Sequence, residues 1–84
     1  MQNATEVIKL INSLKIRGRM AENQKTFQQL ATKVNCTPYT LGRKVANKVP
    51  MTLEEANILA IELKITDEEF GEFFLQKELQ NATK

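Results

Sequence analysis

The chain has 84 residues and a mass of 9.6 kDa, which is enough for one small domain with a single hydrophobic core. Hydrophobic residues make up 42% of it and charged residues 26%, a balance typical of folded globular proteins. With one cysteine, Cys36, and no histidine, the sequence excludes an internal disulfide, histidine-ligated zinc, Cys-His pairs and hydrolytic triads. We therefore expect a binding domain with no enzymatic activity, metal or cofactor.

Membrane and export signals are missing from the sequence. No apolar run approaches the roughly 18 residues that a membrane-spanning helix needs. The chain also opens without the pattern of a signal peptide. We expect a cytoplasmic protein that does not associate with a membrane.

Helix-start signals divide the chain into five predicted helices. A capping side chain followed three residues later by Glu or Gln satisfies two free backbone donors at a helix start. The pairs are Asn3 with Glu6, Thr26 with Gln29, Thr52 with Glu55 and Thr66 with Glu69. Thr37 before Pro38 is a further start. Since no long segment alternates with a period of two, we predict an all-α five-helix bundle.

The predicted helices follow one another with short connections. In chain order they cover residues 4–22 with a possible break near 12–13, residues 26–34, 37–46 and 53–63, and a last helix that begins after Thr66 and carries Phe70, Phe73, Phe74, Leu75 and Leu79. Asn47 is expected to end the third helix, because asparagine tolerates the left-handed backbone of a helix exit.

The second and third predicted helices have the spacing of a helix-turn-helix, in which the second helix enters the major groove of DNA. Ala31 is small enough for the close helix crossing, and Val34 and Leu41 are placed to fill the space between the helices. Cys36 lies in the link and is interpreted as a small buried hydrophobic residue.

Charge is distributed unevenly along the chain. Residues 1–50 contain nine basic and two acidic residues, whereas residues 51–84 contain three basic and eight acidic residues. Such asymmetry favours one surface that binds a polyanion and another that avoids it. The alternative is a dipolar surface with no function.

The stretch from Leu30 to Lys48, LATKVNCTPYTLGRKVANK, resembles the helix-turn-helix of the phage Cro and repressor family. The following PMTLEEANILAIEL is similar to the fourth helix of that family, and the likeness covers about 65 residues. It implies a lambda-repressor-like DNA-binding bundle over residues 1–84, with the motif at 26–46 and an extra N-terminal segment at 1–13. It also implies a Cro-like regulator made in a bacterial host or from a prophage.

The resemblance assigns roles to residues of the motif. Its base-reading positions are Pro38, Tyr39, Thr40, Gly42 and Arg43. Its phosphate-contacting positions are Thr26, Gln28, Thr37, Lys44, Asn47 and Lys48. Arg43 can bond the O6 and N7 atoms of guanine together. The alternatives are a solvated surface arginine or one that contacts only phosphate. Arg17 and Arg19 on the first helix either flank the DNA backbone or form a plain solvated face.

Two positions depart from the family pattern. Phe27 stands where the family often has a glutamine that grips a phosphate, so this contact passes to Thr26 or Gln28 or is absent. Gly42 stands where a polar residue is commoner, which close approach to DNA or simple drift would each explain.

Ile58 and Ile61 lie outside the apolar stripe of the fourth helix, where the family usually has polar residues. An exposed aliphatic pair indicates a contact surface. It is either covered by another part of the chain or forms a homodimer contact on two-fold operator DNA. The motif and its resemblance to the phage family imply a sequence-specific DNA-binding regulator of transcription, a Cro-like phage repressor that occupies operator DNA. The alternative is an antirepressor of the same fold that binds another phage repressor.

Overall fold

The computed structural model describes residues 4–81, and the side chains of residues 6–78. Within this range the chain forms five helices and a three-stranded antiparallel sheet. In chain order the elements are β1 (Ala4–Ile11), α1 (Ser13–Glu22), α2 (Phe27–Val34), α3 (Pro38–Val45), β2 (Met51–Thr52), α4 (Leu53–Glu62), α5 (Asp67–Phe73) and β3 (Phe74–Asn81). The strand order is β2-β1-β3, so the first strand lies in the middle of the sheet.

The prediction of an all-α bundle is wrong at both ends of the chain. Residues 4–11 form a strand rather than the first part of a helix. Their pairing with β3 shifts on either side of Leu10, and because of this irregularity Ile8 and Ile11 are both buried although they lie three residues apart. That spacing is also the spacing of a helical stripe, which explains the error.

The second error concerns the chain after Phe73. Leu75, Gln76, Lys77 and Glu78 favour helices, yet they lie in β3. The backbone of β3 pairs along the whole of β1, from Ala4 with Asn81 to Ile11 with Phe74. This pairing overrides the local preference. The predicted cap at Asn3 falls outside the described residues, and its partner Glu6 lies in β1.

The starts of the other helices are confirmed. Thr26, Thr52 and Thr66 each accept a hydrogen bond from the backbone N–H three residues later, and the Gln or Glu at that position accepts one in return. Thr37 caps α3 in the same way but without the reciprocal bond, and Pro38 takes the first helical position. These side chains fix where α2, α3, α4 and α5 begin.

Four helices end on a residue with left-handed backbone. The residues are Gln24, Asn35, Asn47 and Lys64, with φ of 56°, 64°, 66° and 58°. In each case the following N–H donates to a carbonyl five residues back, for example Cys36 to Ala31 and Lys48 to Arg43. The predicted role of Asn47 in ending α3 is confirmed.

One hydrophobic cluster joins the helices to the sheet. Its fully buried side chains include Ile8, Ile16, Leu30, Leu41, Met51, Leu59 and Leu63, and no polar or charged side chain is buried among the described residues. Ala31, Val34 and Leu41 pack in it as predicted. Leu14 lies on α1 outside this cluster and is 83% exposed.

Candidate nucleic-acid interface

Helices α2 and α3 are joined by a link of three residues, 35–37, which is the spacing of the helix-turn-helix expected from the sequence. Asn35 turns the chain through its left-handed backbone, and the N–H of Cys36 then donates to the carbonyl of Ala31 at 3.0 Å. Leu41 and Val45 are buried on the inner side of α3. The opposite side of α3 is thereby turned to solvent.

Tyr39 and Arg43 dominate the exposed side of α3. They are four residues apart and so share one side of the helix. The guanidinium carbon of Arg43 lies 5.9 Å from the centroid of the Tyr39 ring, and Tyr39 is 74% exposed. Arg43 has no carboxylate within ion-pair distance among the described side chains. A planar cation and an aromatic ring therefore stand together at the surface.

The other three predicted base-reading positions surround this pair. Pro38 is exposed, whereas Thr40 and Gly42 are half-buried. A Cβ atom added to Gly42 would meet no other atom within 4 Å. Packing within the chain therefore does not require glycine at this position.

The threonine hydroxyls near the motif are not equally free. Thr37 accepts from the N–H of Thr40 at 3.1 Å and donates to the hydroxyl of Thr40 at 2.9 Å, so its proton is already used. Thr26 accepts from Gln29 but donates to no acceptor among the described residues. Gln28 is exposed beside Thr26. The donors available here belong to Thr26, Gln28 and Thr40.

Lys44 and Asn47 both make contacts with other elements of the fold. The Lys44 ammonium lies 2.6 Å from the Glu55 carboxylate, and the two side chains are 14% and 18% exposed. The Asn47 amide accepts from the N–H of Ile11 at 2.8 Å and donates to the carbonyl of Ile11 at 3.0 Å. Both side chains therefore already have partners within the fold, which the sequence did not predict, and a phosphate would have to share or displace those partners. Lys48 is exposed.

Ion pairs within the fold offset part of the charge asymmetry of the sequence. Five basic residues from the first fifty pair with carboxylates from the rest of the chain: Lys9 with Glu78, Lys15 with Glu72, Arg19 with Glu69, Lys25 with Glu62 and Lys44 with Glu55. The remaining four basic residues in that half have no such partner among the described side chains. They are Arg17, Lys33, Arg43 and Lys48, and they lie on or next to the motif.

Arg19 makes several contacts within the fold. Its guanidinium donates to the carbonyls of Leu63 and Lys64 and to the carboxylate of Glu69, at 3.3, 2.8 and 3.2 Å. The backbone N–H of Thr66 and the Arg19 guanidinium together hold the pKa of Glu69 below its usual range. Arg19 is therefore not part of a plain solvated face, because it joins α1 to α5 and to the end of α4.

Arg17 has different surroundings. It is exposed, and its guanidinium carbon lies 5.2 Å from the centroid of the Phe27 ring at the start of α2. Sequence reasoning considered both residues but did not connect them. The positions are ten residues apart on different helices, so only the tertiary fold brings them together.

Cys36 is half-buried against the core. Burial raises the pKa of its thiol, an effect that the nearby Lys44 opposes and Glu55 supports. The thiol is therefore protonated at neutral pH, and it is a poor nucleophile. No cluster of metal-ligating side chains occurs in residues that the structure describes.

Ile58 and Ile61 are not equivalent. Ile58 is half-buried, packs against the core and lines a groove of about 440 Å³ with Lys33, Val34, Asn35, Thr52, Glu54 and Glu55. Ile61 is 76% exposed. The prediction of an exposed pair is correct for Ile61 and wrong for Ile58.

No family model, curated protein or solved structure matches the chain. The likeness to the phage Cro and repressor family stays a prediction from the motif. None of the helices formed by residues 4–81 is long and apolar enough to cross a membrane.

Proposed function

We propose that the protein is a sequence-specific DNA-binding regulator of transcription, of the Cro-like phage repressor type, that acts in the cytoplasm by occupying operator DNA. The observation that carries this proposal is the exposed side of α3. It presents Tyr39 and Arg43 together, with no carboxylate on Arg43 among the described side chains. The second helix of a helix-turn-helix is the one that enters the major groove.

Base readout is assigned to the first two turns of α3. Arg43 offers two parallel N–H donors, which match the O6 and N7 acceptors of guanine. The guanidinium lies over the Tyr39 ring, which positions it, and the edge of the ring is left to contact a thymine methyl group. Thr40 supplies a hydroxyl proton, while Pro38 and Gly42 add little bulk and allow the helix to approach the bases.

Phosphate contacts are assigned to the residues that remain free around the motif. Thr26 and Gln28 lie at the start of α2, which crosses the DNA backbone when α3 is in the groove. Lys48 follows the end of α3 and presents an exposed ammonium. Thr37 is not assigned a phosphate contact, because its hydroxyl proton is donated to Thr40 and a phosphate oxygen needs a donor. Repression then needs occupancy alone, without catalysis or a cofactor.

Assembly follows from the symmetry of operators. Two copies on a two-fold site place their recognition helices about 34 Å apart. Ile61 is the exposed aliphatic residue of α4, and we assign it to the contact between copies. The same exposed side chain supports the second candidate function, an antirepressor that uses α4 to bind another repressor.

Selection from a pool of duplexes with a randomised central segment tests the DNA proposal without knowledge of the operator. We expect an enriched sequence that binds at least about 10³-fold tighter than its scrambled version near physiological salt. The logarithm of the binding constant should fall with the logarithm of salt concentration, with about −0.9 in slope for each phosphate contact. Absence of binding to any duplex at low salt would reject DNA binding and favour the antirepressor.

A further inference from the structure

Arg17 is a cation that the fold holds in place but does not neutralise. Its guanidinium carbon lies 5.2 Å from the centroid of the Phe27 ring. No carboxylate among the described side chains lies within ion-pair distance of it. Arg19, on the same helix, is instead bound to two carbonyls and two carboxylates. Arg17 is therefore an exposed cation with no countercharge among the described side chains.

The Phe27 ring gives Arg17 a fixed support. Phe27 is half-buried and packs against the core, so the ring itself has little freedom. A guanidinium can stack on an aromatic face while its N–H donors, which lie in its own plane, point outward from the stack. Because stacking already restricts the rotamers of the side chain, less conformational entropy is lost when it binds a ligand. The side chain is thus prepared to bind an anion with its outer edge.

The location of this pair identifies the anion. Phe27 is the first residue of α2, the helix that crosses the DNA backbone when α3 occupies the groove. We propose that Arg17, positioned by Phe27, binds a backbone phosphate of the DNA, an inference that rests on the proposed function. Arg17 supplies the charge and two donors for one phosphate, and Phe27 is a positioning residue. The aromatic residue at the start of α2 thereby acts through its neighbour on α1.

Arg17→Ala tests the phosphate contact on the selected duplex and its scrambled version at two salt concentrations. Loss of a charge-assisted contact should weaken binding to both duplexes by about ten-fold or more at low salt. The salt slope should fall by about 0.9. Lys64→Ala is the matched control, because Lys64 is an exposed cation outside the motif without an ion pair among the described side chains. It should leave affinity and slope unchanged.

Variants of Phe27 test the positioning role. Phe27→Leu keeps an apolar side chain but removes the ring face, so it should reproduce much of the loss, and Arg17→Ala should then cost little more in that background. Phe27→Tyr keeps the ring and should bind like the wild type. Thermal melting establishes that each variant is folded; if Phe27→Leu is not, Arg17→Lys replaces it, since it keeps the charge without the planar stack.

The outcomes separate this inference from the proposed function. If the wild type binds no duplex, both are rejected. If the wild type binds with a steep salt dependence and Arg17→Ala matches its affinity and slope, the phosphate contact alone is rejected. If Arg17→Ala loses binding while a folded Phe27→Leu keeps it, the role of Phe27 is rejected.

Discussion

Arg43 and Lys44 are adjacent in the sequence, yet their side chains have opposite surroundings. One step along a helix turns the side chain by about 100°. Arg43 therefore lies over Tyr39 at the surface, while Lys44 points toward α4 and pairs with Glu55. The same Glu55 carboxylate accepts from the backbone N–H of Thr52. Lys44 thus belongs to the support of α3, and Arg43 belongs to the surface that α3 presents.

Replacing Arg43 by Ala tests base readout. The change should cost about 1–3 kcal/mol of binding free energy on the selected duplex and much less on scrambled DNA, because only the correct base accepts both N–H donors. Stability should change by no more than about 0.5 kcal/mol, since Arg43 is exposed. The measurement is a pair of binding isotherms. Equal loss on both duplexes would make Arg43 a phosphate contact and transfer base readout to Tyr39 and Thr40.

Lys44 and Lys48 should give contrasting results. Lys44→Met leaves Glu55 without its cation in a nearly buried position, so the free energy of unfolding should fall by about 1–3 kcal/mol. The salt slope of DNA binding should not change. Lys48→Ala should leave stability unchanged, weaken binding to every duplex similarly and lower the slope by about one. Chemical denaturation and salt titration measure the two quantities. A lower slope in a folded Lys44→Met variant would return Lys44 to the phosphate contacts.

At the scale of secondary structure elements, the sequence predicts the middle of the chain well and its ends poorly. Capping side chains mark the starts of α2 to α5, and their effect is local, so they can be read without tertiary information. The strands have no local signal of this kind. The core spacing of Ile8 and Ile11 depends on an irregular pairing with β3, and β3 has the composition of a helix. Both facts depend on contacts between distant segments.

The candidate site divides in the same way. The exposed side of α3 follows from helical spacing, since Leu41 and Val45 define the buried side. The partners of Lys44 and Asn47 do not follow from it, because Glu55 and Ile11 lie on other elements. The contact of Arg17 with Phe27 also joins two different helices, so it does not follow from the sequence either.

Asn47 joins two elements, and its replacement should weaken that junction. Asn47→Ala removes both hydrogen bonds to Ile11 in β1 and puts alanine in left-handed backbone, which together should cost about 2–4 kcal/mol of stability. Asn47→Gly removes only the hydrogen bonds, because glycine accepts the backbone, and should cost about half as much. Thermal melting compares them. Two equally stable variants would show that the backbone conformation at this position contributes nothing.

At the scale of the whole molecule, five of the eight acidic residues in the segment 51–84 form ion pairs with basic residues from the first fifty. Five ion pairs join the first fifty residues to the rest and hold α1, α3 and β1 against α4, α5 and β3. The cations without such partners lie on or next to the helix-turn-helix. The overall net charge of +2 therefore understates the positive potential near α3. If the proposed function is correct, this distribution would turn α3 toward the DNA.

Ile61 tests how two such molecules combine on DNA. It is 76% exposed on α4, so Ile61→Lys should leave the monomer as stable as the wild type within about 0.5 kcal/mol. If α4 forms the contact between copies, the lysine introduces like charges at the two-fold axis. The dissociation constant of the dimer should then rise. Leu14→Lys is the matched control, because Leu14 is 83% exposed on α1 and should leave assembly unchanged. Sedimentation velocity with and without the selected duplex gives the oligomeric state of each variant. If Ile61→Lys and Leu14→Lys assemble alike, Ile61 is not part of the interface and α4 does not join the two copies.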